Sequence, residues 1–514
     1  MTAVDFTHNS FMVFDPWLND FHWAPSTLTF SFPTSGSFYS YQGTSAVTAL
    51  SGAQQNAVRK ALADISSFTN LNFTEITETF VQEATLRFAR EVGLDGGYAY
   101  LPFDDEQGGD GFFGNGTDNP VAGNEAFLYF IHEIGHTMGL NHGHEYPTFV
   151  SSGLDSQEYT VLTYTDYVGD TDTHSYDSGP IDWAQSYQQL DIQALQFLYG
   201  TNYSATGEIW SGDTVYTFSQ STGEMSINGV GQGAPAGNRI FRTIWDGHGE
   251  DTYDLSNYTT DLDIDLGPGA FSTFDPAQRA DLDRFSTLES RMAEGNVANA
   301  RVWGSDTRGL IENATGGVGD DTITGNSVGN ILKGKGGDDT LDGLAGEDTL
   351  FGGGGRDELI GGGQDDTLKG GGAKDVLKGG NGKDRLEGGG GNDRLVGGDK
   401  ADVLIGGDGF DRLIGGAGND DFRFTKISHS PTSGNADRIL DFEKGADDID
   451  LSALAGGNLT LVLNGALTGT GPSVATANQG SDTLVSVDTN GNGSANMEIL
   501  VVGVQGLGAG DFLL

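Results

Sequence analysis

A nine-residue repeat runs without interruption from Gly316 to Arg423 and constrains the fold more than any other feature of the chain. Each of its 12 units resembles Gly-Gly-x-Gly-x-Asp-x-Leu-x, as in residues 388–396, GGGGNDRLV. The glycine-rich half can turn tightly, and the x-Leu-x half favours a short strand with an inward leucine. Because one coil cannot bury its leucine alone, we predict two units per coil and a stacked parallel solenoid, or β-roll.

The sixth position of these units is acidic in all but one, which has Asn330. Carboxylate and turn carbonyl oxygens are hard ligands that suit Ca²⁺, so we predict several structural calcium ions. A metal-free array of turns is the alternative, but its aligned carboxylates would repel one another. The predicted calcium ligands are Asp321, Asp339, Asp348, Asp357, Asp366, Asp375, Asp384, Asp393, Asp402, Asp411 and Asp420. We expect weak or absent sites where the fourth glycine is replaced, at Val328, Gln364, Ala373 and Lys400.

The net charge of the chain limits the classes of partner that it can bind. Its 26 basic and 73 acidic residues give a net charge of −47, which argues against nucleic acid and anionic membranes. The absence of cysteine excludes disulfides, thiolate metal sites and a cysteine nucleophile. No apolar run is long enough for a membrane span, and the first residues lack the pattern of a Sec signal peptide.

Composition divides the chain into four regions. Residues 1–210 are typical of a mixed α/β domain, 211–315 of a β-rich segment entering the roll, 316–424 of the roll, and 425–514 of a non-repetitive cap and tail. In the first region we predict strands at 26–32, 84–89 and 98–101 and helices at 53–65 and 188–199. Gly200 is a helix stop signal.

Residues 132–142, HEIGHTMGLNH, have the spacing of a zinc site. An apolar helical face precedes them, with Asn124 as a candidate cap. On a helix, His132 and His136 lie one turn apart on the same side. Gly139 ends the helix, and His142 completes three ligands, with Glu133 beside them as general base. Chance histidines on a surface helix are the alternative, but five fixed residues at fixed spacing make it improbable.

This segment is the metzincin signature, and with the repeats the chain resembles the serralysin family of secreted RTX zinc proteases. The resemblance covers nearly the whole chain. It implies an α+β fold: a metzincin catalytic domain, with a twisted sheet and a long active-site helix, followed by a calcium-binding parallel β-roll. It also implies one catalytic Zn²⁺.

The family's turn below the zinc matches residues 159–164. Tyr164 matches a tyrosine that is a further zinc ligand and helps to stabilise the oxyanion; a plain turn aromatic is the alternative. The methionine of that turn is replaced by Leu162, a residue of similar volume. After the third histidine the family has Pro-Gly-Asp-Tyr, whereas this chain has residues 143–146, GHEY. His144 is then a rim residue or a competing ligand.

Further positions follow from the resemblance. The segment Gly97, Tyr98, Ala99, Tyr100 and Leu101 matches the edge of the substrate cleft, where a peptide adds as a strand with broad specificity; an ordinary internal strand is the alternative. Residues 245–252 resemble the entry to the roll, with Asp246 and Asp251 as calcium ligands.

The last residues, 511–514, resemble the family's signal for an ABC-type (type I) exporter. A final capping strand is the alternative, and both can hold. We therefore expect a secreted, extracellular and monomeric protein that acts on proteins or peptides, with a proteinaceous inhibitor as a further partner.

The predicted function is a zinc-dependent endopeptidase of broad specificity whose β-roll folds with calcium. Two alternatives stay open: a non-catalytic calcium-binding adhesin or surface protein, and a processing peptidase of narrow specificity. The adhesin gives no reason for the complete set of His132, Glu133, His136 and His142.

Overall fold

A computed structural model describes residues 3–5, 21–39, 46–79, 81–143, 154–170, 176–203, 212–286, 288, 291–432 and 434–514. The chain divides into two compact units. The first comprises Met1–Thr252 and Pro268–Ile311, and the second Tyr253–Gly267 and Glu312–Leu514. Within the described ranges, no helix has the length and apolar character needed to cross a membrane.

The described residues of the first unit form the α-helices α1 (Gly52–Phe68), α2 (Glu125–Thr137) and α3 (Gln189–Tyr199). The predicted helices at 53–65 and 188–199 are thereby confirmed. Ser51 caps α1 in a capping box with Gln54, and the apolar residues at helical spacing are buried. Gly200 follows α3 with φ +79°, a conformation that glycine adopts without strain.

A six-stranded sheet supports the helices. The strands of this region are β1 (Ala3–Asp5), β2 (Phe21–Trp23), β3 (Thr27–Ser31), β4 (Val47–Thr48), β5 (Asn72–Glu75), β6 (Leu86–Glu91), β7 (Gly97–Ala99) and β8 (Asp110–Phe113). The six strands of the sheet have the order β5-β3-β6-β8-β7, and β4 also pairs with β6. Strands β3, β5, β6 and β8 run parallel, whereas β7 lies antiparallel to β8 at the edge. Phe113 of β8 stacks on Phe130 of α2, with ring centroids 4.0 Å apart, which ties the sheet to the helix.

Short strands complete the first unit. One antiparallel meander contains β9 (Val215–Phe218), β10 (Met225–Ile227) and β11 (Val230–Gly231). A three-stranded sheet has the order β12-β16-β15, formed by β12 (Arg242–Ile244), β15 (Phe271–Ser272) and β16 (Val297–Asn299).

The second unit is a parallel β-roll. It opens with β13 (Thr252–Asp254), β14 (Asp263–Asp265) and β17 (Asn313–Thr315). The repeat strands are β18 (Thr322–Asn326), β19 (Ile331–Gly336), β20 (Thr340–Leu344), β21 (Thr349–Gly354), β22 (Glu358–Gly363), β23 (Thr367–Gly372), β24 (Val376–Asn381), β25 (Arg385–Gly391), β26 (Arg394–Asp399), β27 (Val403–Gly409), β28 (Arg412–Ala417) and β29 (Asp421–Arg423).

Successive repeat strands alternate between two parallel sheets. Each strand pairs with the strand two units later, as Leu350 does with Leu368 and Leu359 with Leu377. The eighth-position side chains are fully buried between the sheets. The prediction of two units per coil is confirmed.

The turns explain why glycine dominates the first half of each unit. Gly337 has φ +119°, and a Cβ there would lie 2.0 Å from the carbonyl oxygen of Gly319. Where the fourth glycine is replaced, Gln364, Ala373 and Lys400 still adopt φ between +75° and +83°. Such a conformation costs an L-residue about 1–2 kcal/mol. These units therefore keep the turn geometry, although it strains their backbone locally.

The segment after the repeats continues both sheets. Its strands are β30 (Asp437–Ile439), β31 (Asp448–Asp450), β32 (Thr460–Val462), β33 (Ser473–Gln479), β34 (Asp482–Asp488), β35 (Met497–Val501) and β36 (Phe512–Leu513). Strand β30 pairs with β28, and β31 pairs with β29. The terminal strand β36 pairs in parallel with β31, so the last residues do form a capping strand.

Candidate metal centres

Helix α2 places the histidine motif. Asn124 caps it, because its Oδ1 accepts a hydrogen bond from Phe127 N at 2.9 Å. The apolar face seen in the sequence is buried in the core of the first unit. Gly139, at φ +101°, lets the chain turn back after the helix.

The structure brings the Nε2 atoms of His132, His136 and His142 together. They lie 3.0 to 3.2 Å apart in all three pairs. The ligands of a tetrahedral ion at about 2.0–2.1 Å are separated by about 3.3 Å, so these nitrogens already approach the arrangement of three zinc ligands.

Backbone carbonyls orient two of the imidazoles. His132 Nδ1 lies 2.7 Å from Val161 O, and His136 Nδ1 lies 2.7 Å from Leu140 O. A proton on each Nδ1 donates to its carbonyl, which leaves the Nε2 lone pair facing the centre. The residues present fit a divalent cation of the zinc type.

Asp191, in the first turn of α3, supports one of these carbonyls. Its carboxylate accepts hydrogen bonds from Val161 N and Thr160 Oγ1 at 2.8 Å and from Gln188 N at 2.9 Å. The side chain is fully buried, and burial raises its pKa to about 7. Sequence reasoning missed Asp191, because an acidic residue in the first turn of a helix has the ordinary role of a cap.

Glu133 follows His132 on α2, its side chain is buried, and burial raises its pKa to about 8. Strand β7 passes directly over it. A Cβ at Gly97 would lie 2.9 Å from Glu133 Cγ, so glycine allows the edge strand to approach the helix.

Leu162 lies beneath the histidine motif. It is fully buried, and its Cδ2 would lie 2.9 Å from a Cβ at Gly135. Its carbonyl oxygen accepts a hydrogen bond from Gly143 N at 3.1 Å, directly after the third histidine. Leucine thus fills the space against the glycine of the motif.

The ring of Tyr164 lies 4.9 Å from that of His142 and 5.8 Å from that of His132, between centroids. It lines a cavity of about 460 Å³ together with Tyr129, Tyr176 and Trp183. Tyr164 is therefore adjacent to the histidines, as its proposed role requires. His144 lies outside the described residues.

Strand β7 is an edge strand. Within the described residues it pairs on one side alone, with β8, where Tyr98 faces Phe112. Tyr98 Oη donates to Glu91 at 2.7 Å. After β7, Tyr100 continues the pairing through its amide and carbonyl with Asp110 and Gly109, and Leu101 follows it. The position suits the addition of another strand.

The sixth-position aspartates form a continuous ladder. From Asp339 onward, Oδ1 accepts from the backbone N–H of the residue 18 positions earlier, as in Asp339 N to Asp357 Oδ1 at 3.0 Å and Asp357 N to Asp375 Oδ1 at 2.9 Å; Oδ1 of the first member, Asp321, accepts from Leu262 N at 2.9 Å. The other oxygen, Oδ2, is buried without a hydrogen-bond partner among the described residues in Asp339, Asp348, Asp357, Asp366, Asp375, Asp384, Asp393, Asp402, Asp411 and Asp420. Asp321 differs, because its Oδ2 accepts from Gly317 N at 2.7 Å.

The first-position glycine of each unit faces this second oxygen. A Cβ at Gly370 would lie 2.4 Å from Asp375 Oδ2, and one at Gly352 would lie 2.3 Å from Asp357 Oδ2. Burial raises the pKa of Asp375 to about 7 and that of Asp402 to about 8. A row of buried carboxylate oxygens without partners fits Ca²⁺ ligands.

Two aspartates beyond the repeats extend the ladder. Asp411 N donates to Asp437 Oδ1 at 2.8 Å, and Asp420 N donates to Asp447 Oδ1 at 3.0 Å. Asp437 Oδ2 is also buried without a partner in the described part of the chain. The nine-residue period does not reach these positions, so the sequence analysis missed them. The available signal was an aspartate just before each short apolar strand.

Asp246 and Asp251 are buried near β9. Asp246 Oδ2 accepts from Tyr216 Oη at 2.5 Å, and Asp251 Oδ1 accepts from Thr214 N at 2.8 Å. Burial raises the pKa of Asp246 to about 6. Their role as calcium ligands stays a prediction.

Comparisons with known proteins agree with this architecture. The family model described as the C-terminal domain of serralysin M10 peptidases matches residues 205–514. A serralysin of Proteus mirabilis is 29% identical over 334 residues, which cover 60% of this chain and 61% of the relative. A serralysin of Photorhabdus laumondii is 32% identical over 309 residues, 56% of each chain. The metalloprotease AprA of Pseudomonas entomophila is 28% identical over 326 residues, 60% of each chain. The chain thus spans 56% to 61% of the length of these relatives.

Proposed function

This chain belongs to the serralysin C-terminal family of M10 peptidases, and we propose that it is a secreted, zinc-dependent endopeptidase with a metzincin catalytic domain and a calcium-dependent β-roll. The observation that carries the proposal is the convergence of three imidazole nitrogens, 3.0 to 3.2 Å apart, with the buried Glu133 next to His132 on the same helix.

The three histidines are the residues that would hold the metal in this proposal. A Zn²⁺ ion held by His132, His136 and His142 would lower the pKa of a water molecule toward about 7 and polarise the scissile carbonyl. Glu133 takes the water proton and passes it to the leaving amine. Its low exposure keeps bulk water from competing for that proton.

Two further elements position the substrate. A peptide extends the sheet along β7 through main-chain hydrogen bonds, which tolerates many side chains and favours broad specificity. The Tyr164 hydroxyl donates to the oxygen that develops negative charge. Its position near His142 and His132 supports this role.

Calcium is assigned to the ladder. The buried Oδ2 atoms and the turn carbonyls supply hard oxygen ligands between coils. Extracellular modules bind calcium with a Kd of about 10⁻⁴ to 10⁻³ M, so the roll folds outside the cell and stays unfolded inside it. Export through a type I system by the C-terminal tail is part of the same proposal.

The test is casein hydrolysis in millimolar calcium by wild type, Glu133→Ala and Glu83→Ala, with zinc content assayed in each. Glu83 is an exposed carboxylate of the first unit and is the matched control. We expect Glu133→Ala to retain zinc and lose roughly 10²–10⁴-fold in rate, because it lacks the proton acceptor. Full activity in Glu133→Ala would contradict the role of Glu133 as the base. No zinc in the wild type would contradict the zinc endopeptidase and favour a calcium-binding adhesin.

A further inference from the structure

A second cavity lies within the first unit, between α1, α3 and the strands β10 and β12. Its volume is about 80 Å³, and it shares no lining residue with the cavity beside Tyr164. A water molecule needs about 10–15 Å³ of such space, so the cavity has room for a small molecule of roughly six heavy atoms. The proposed protease chemistry makes no use of it.

A buried arginine lines this cavity. Arg242 is 8% exposed, and its Nε is buried without a hydrogen-bond partner among the described residues. Its Nη1 lies 2.9 Å from Met225 Sδ, and a thioether is a weak acceptor. Within the part of the chain that the structure describes, no carboxylate forms an ion pair with Arg242. A buried guanidinium without an acceptor carries a large desolvation cost.

Two more donors in the cavity wall lack acceptors. Tyr187 Oη and Trp245 Nε1 are buried and have no partner in the described residues. Together with Arg242 they provide an N–H or O–H donor from three separate side chains. Buried donors normally find acceptors, so this set indicates a ligand that brings oxygen atoms.

The net charge of the cavity wall indicates the charge of the ligand. Asp64 forms an ion pair with Lys60 at 3.4 Å and also attracts Arg242, so the two cations and one carboxylate of the wall leave one positive charge to balance. One negative charge neutralises it, which favours a monoanion over a phosphate dianion. Phe68 and Ile192 give the same cavity an apolar wall. A carboxylate matches the planar fork of a guanidinium.

We propose that this cavity binds a small monocarboxylate with an apolar body, whose carboxylate pairs with Arg242. The same chemistry is offered by a free carboxylic acid and by the C-terminus of a short peptide. Movement of the Asp64 carboxylate onto Arg242 is the internal alternative, since Asp64 Oδ2 also lacks a partner among the described residues.

The experiment measures binding to the full chain in calcium by calorimetry and tryptophan fluorescence. The probes are butyrate for a free carboxylic acid and N-acetylglycine for a peptide C-terminus, each beside its neutral amide. We expect at least one carboxylate to bind saturably with a Kd below about 1 mM, and its amide at least tenfold more weakly, because a single good charged contact contributes about that factor. Which carboxylate binds more tightly identifies the source.

Three variants make the result specific. Arg242→Gln should weaken carboxylate binding at least tenfold, whereas Arg59→Gln, on the exposed side of α1, should not change it. Asp64→Asn should strengthen binding, because it removes the competing negative charge. If Arg242→Gln fails to fold, Ser67→Trp, which fills the cavity, should abolish binding with Arg242 intact. No binding by either carboxylate, or equal binding by an amide, would overturn the proposal.

Discussion

Replacing Asp375 by asparagine removes one negative charge from the middle of the ladder and keeps its hydrogen bond. Asp375 Oδ1 accepts from Asp357 N at 2.9 Å, and an amide oxygen can serve as the same acceptor. The Oδ2 position, which has no partner among the described residues, becomes an amide nitrogen and cannot bind a cation. The substitution therefore isolates the calcium contribution from the backbone contact.

The expected magnitude follows from linkage. A site with a Kd of about 10⁻⁴ to 10⁻³ M stabilises the folded roll by about 2.7 to 1.4 kcal/mol at about 10 mM calcium. Without calcium the sign reverses, because the Asp375 charge is desolvated and repelled by the charges of Asp393 and Asp357. Asp375→Asn should then be less stable than wild type in calcium and more stable than wild type in chelator.

The assay is urea unfolding of the roll, followed by circular dichroism. It is run with calcium and, because the roll is expected to be unfolded without it, with chelator plus a stabilising osmolyte such as sucrose. Asp365→Asn is the control, because Asp365 is exposed and its Oδ1 accepts from Lys383 N in the same way. It should shift stability by less than about 0.5 kcal/mol in both conditions. A loss of stability in Asp375→Asn that is equal with and without calcium would refute the assignment of calcium to the ladder.

Three further outcomes are expected. Leu162→Ala should lower the free energy of unfolding by about 2.7–5 kcal/mol, because it leaves a cavity under the histidine motif. Leu162→Met should lower it by less than about 1.5 kcal/mol. Equal effects of the two variants in urea unfolding would contradict the packing argument. Asp191→Asn replaces one of the carboxylate oxygens that accept hydrogen bonds, among them the bond from Val161 N. It should weaken zinc affinity about 10–100-fold in a chelator competition. Unchanged zinc affinity would show that Asp191 does not position the histidine ligands. In chelator, the roll should be most stable near pH 4 and lose stability as the pH rises through about 7, since raised carboxyl pKa values favour the protonated folded form. Saturating calcium should reverse that trend, and a pH-independent apo roll would contradict it.

Periodicity made the roll predictable from sequence. A strict nine-residue period with an apolar eighth position specifies both the strands and the buried face. The helical spacing in α1 and the capping residue Asn124 were predictable for the same reason, since local pattern and burial agree there. Each of these features depends on neighbours close in sequence.

The parts that escaped prediction depend on contacts between distant segments. Asp191 supports Val161 across a sequence separation of 30 residues, and nothing local distinguishes it from a helix cap. Asp437 and Asp447 join the ladder after spacings of 26 and 27 residues, where the period has ended. Arg242 has no ion-pair partner among the described residues, and this depends on which side chains pack around it in the fold, which composition does not reveal.

The alternation of repeats between two sheets has a consequence for how such a roll can change length. Strand β30 continues the sheet of the even-numbered repeat strands, and β31 continues the sheet of the odd-numbered ones. Removal of a single nine-residue unit would exchange these partners and send every later strand to the opposite face. Removal of two units would restore the original parity. Because each strand pairs with the strand 18 residues later, the roll can lengthen or shorten by whole coils of 18 residues. A deletion of one unit should therefore disrupt the cap far more than a deletion of two.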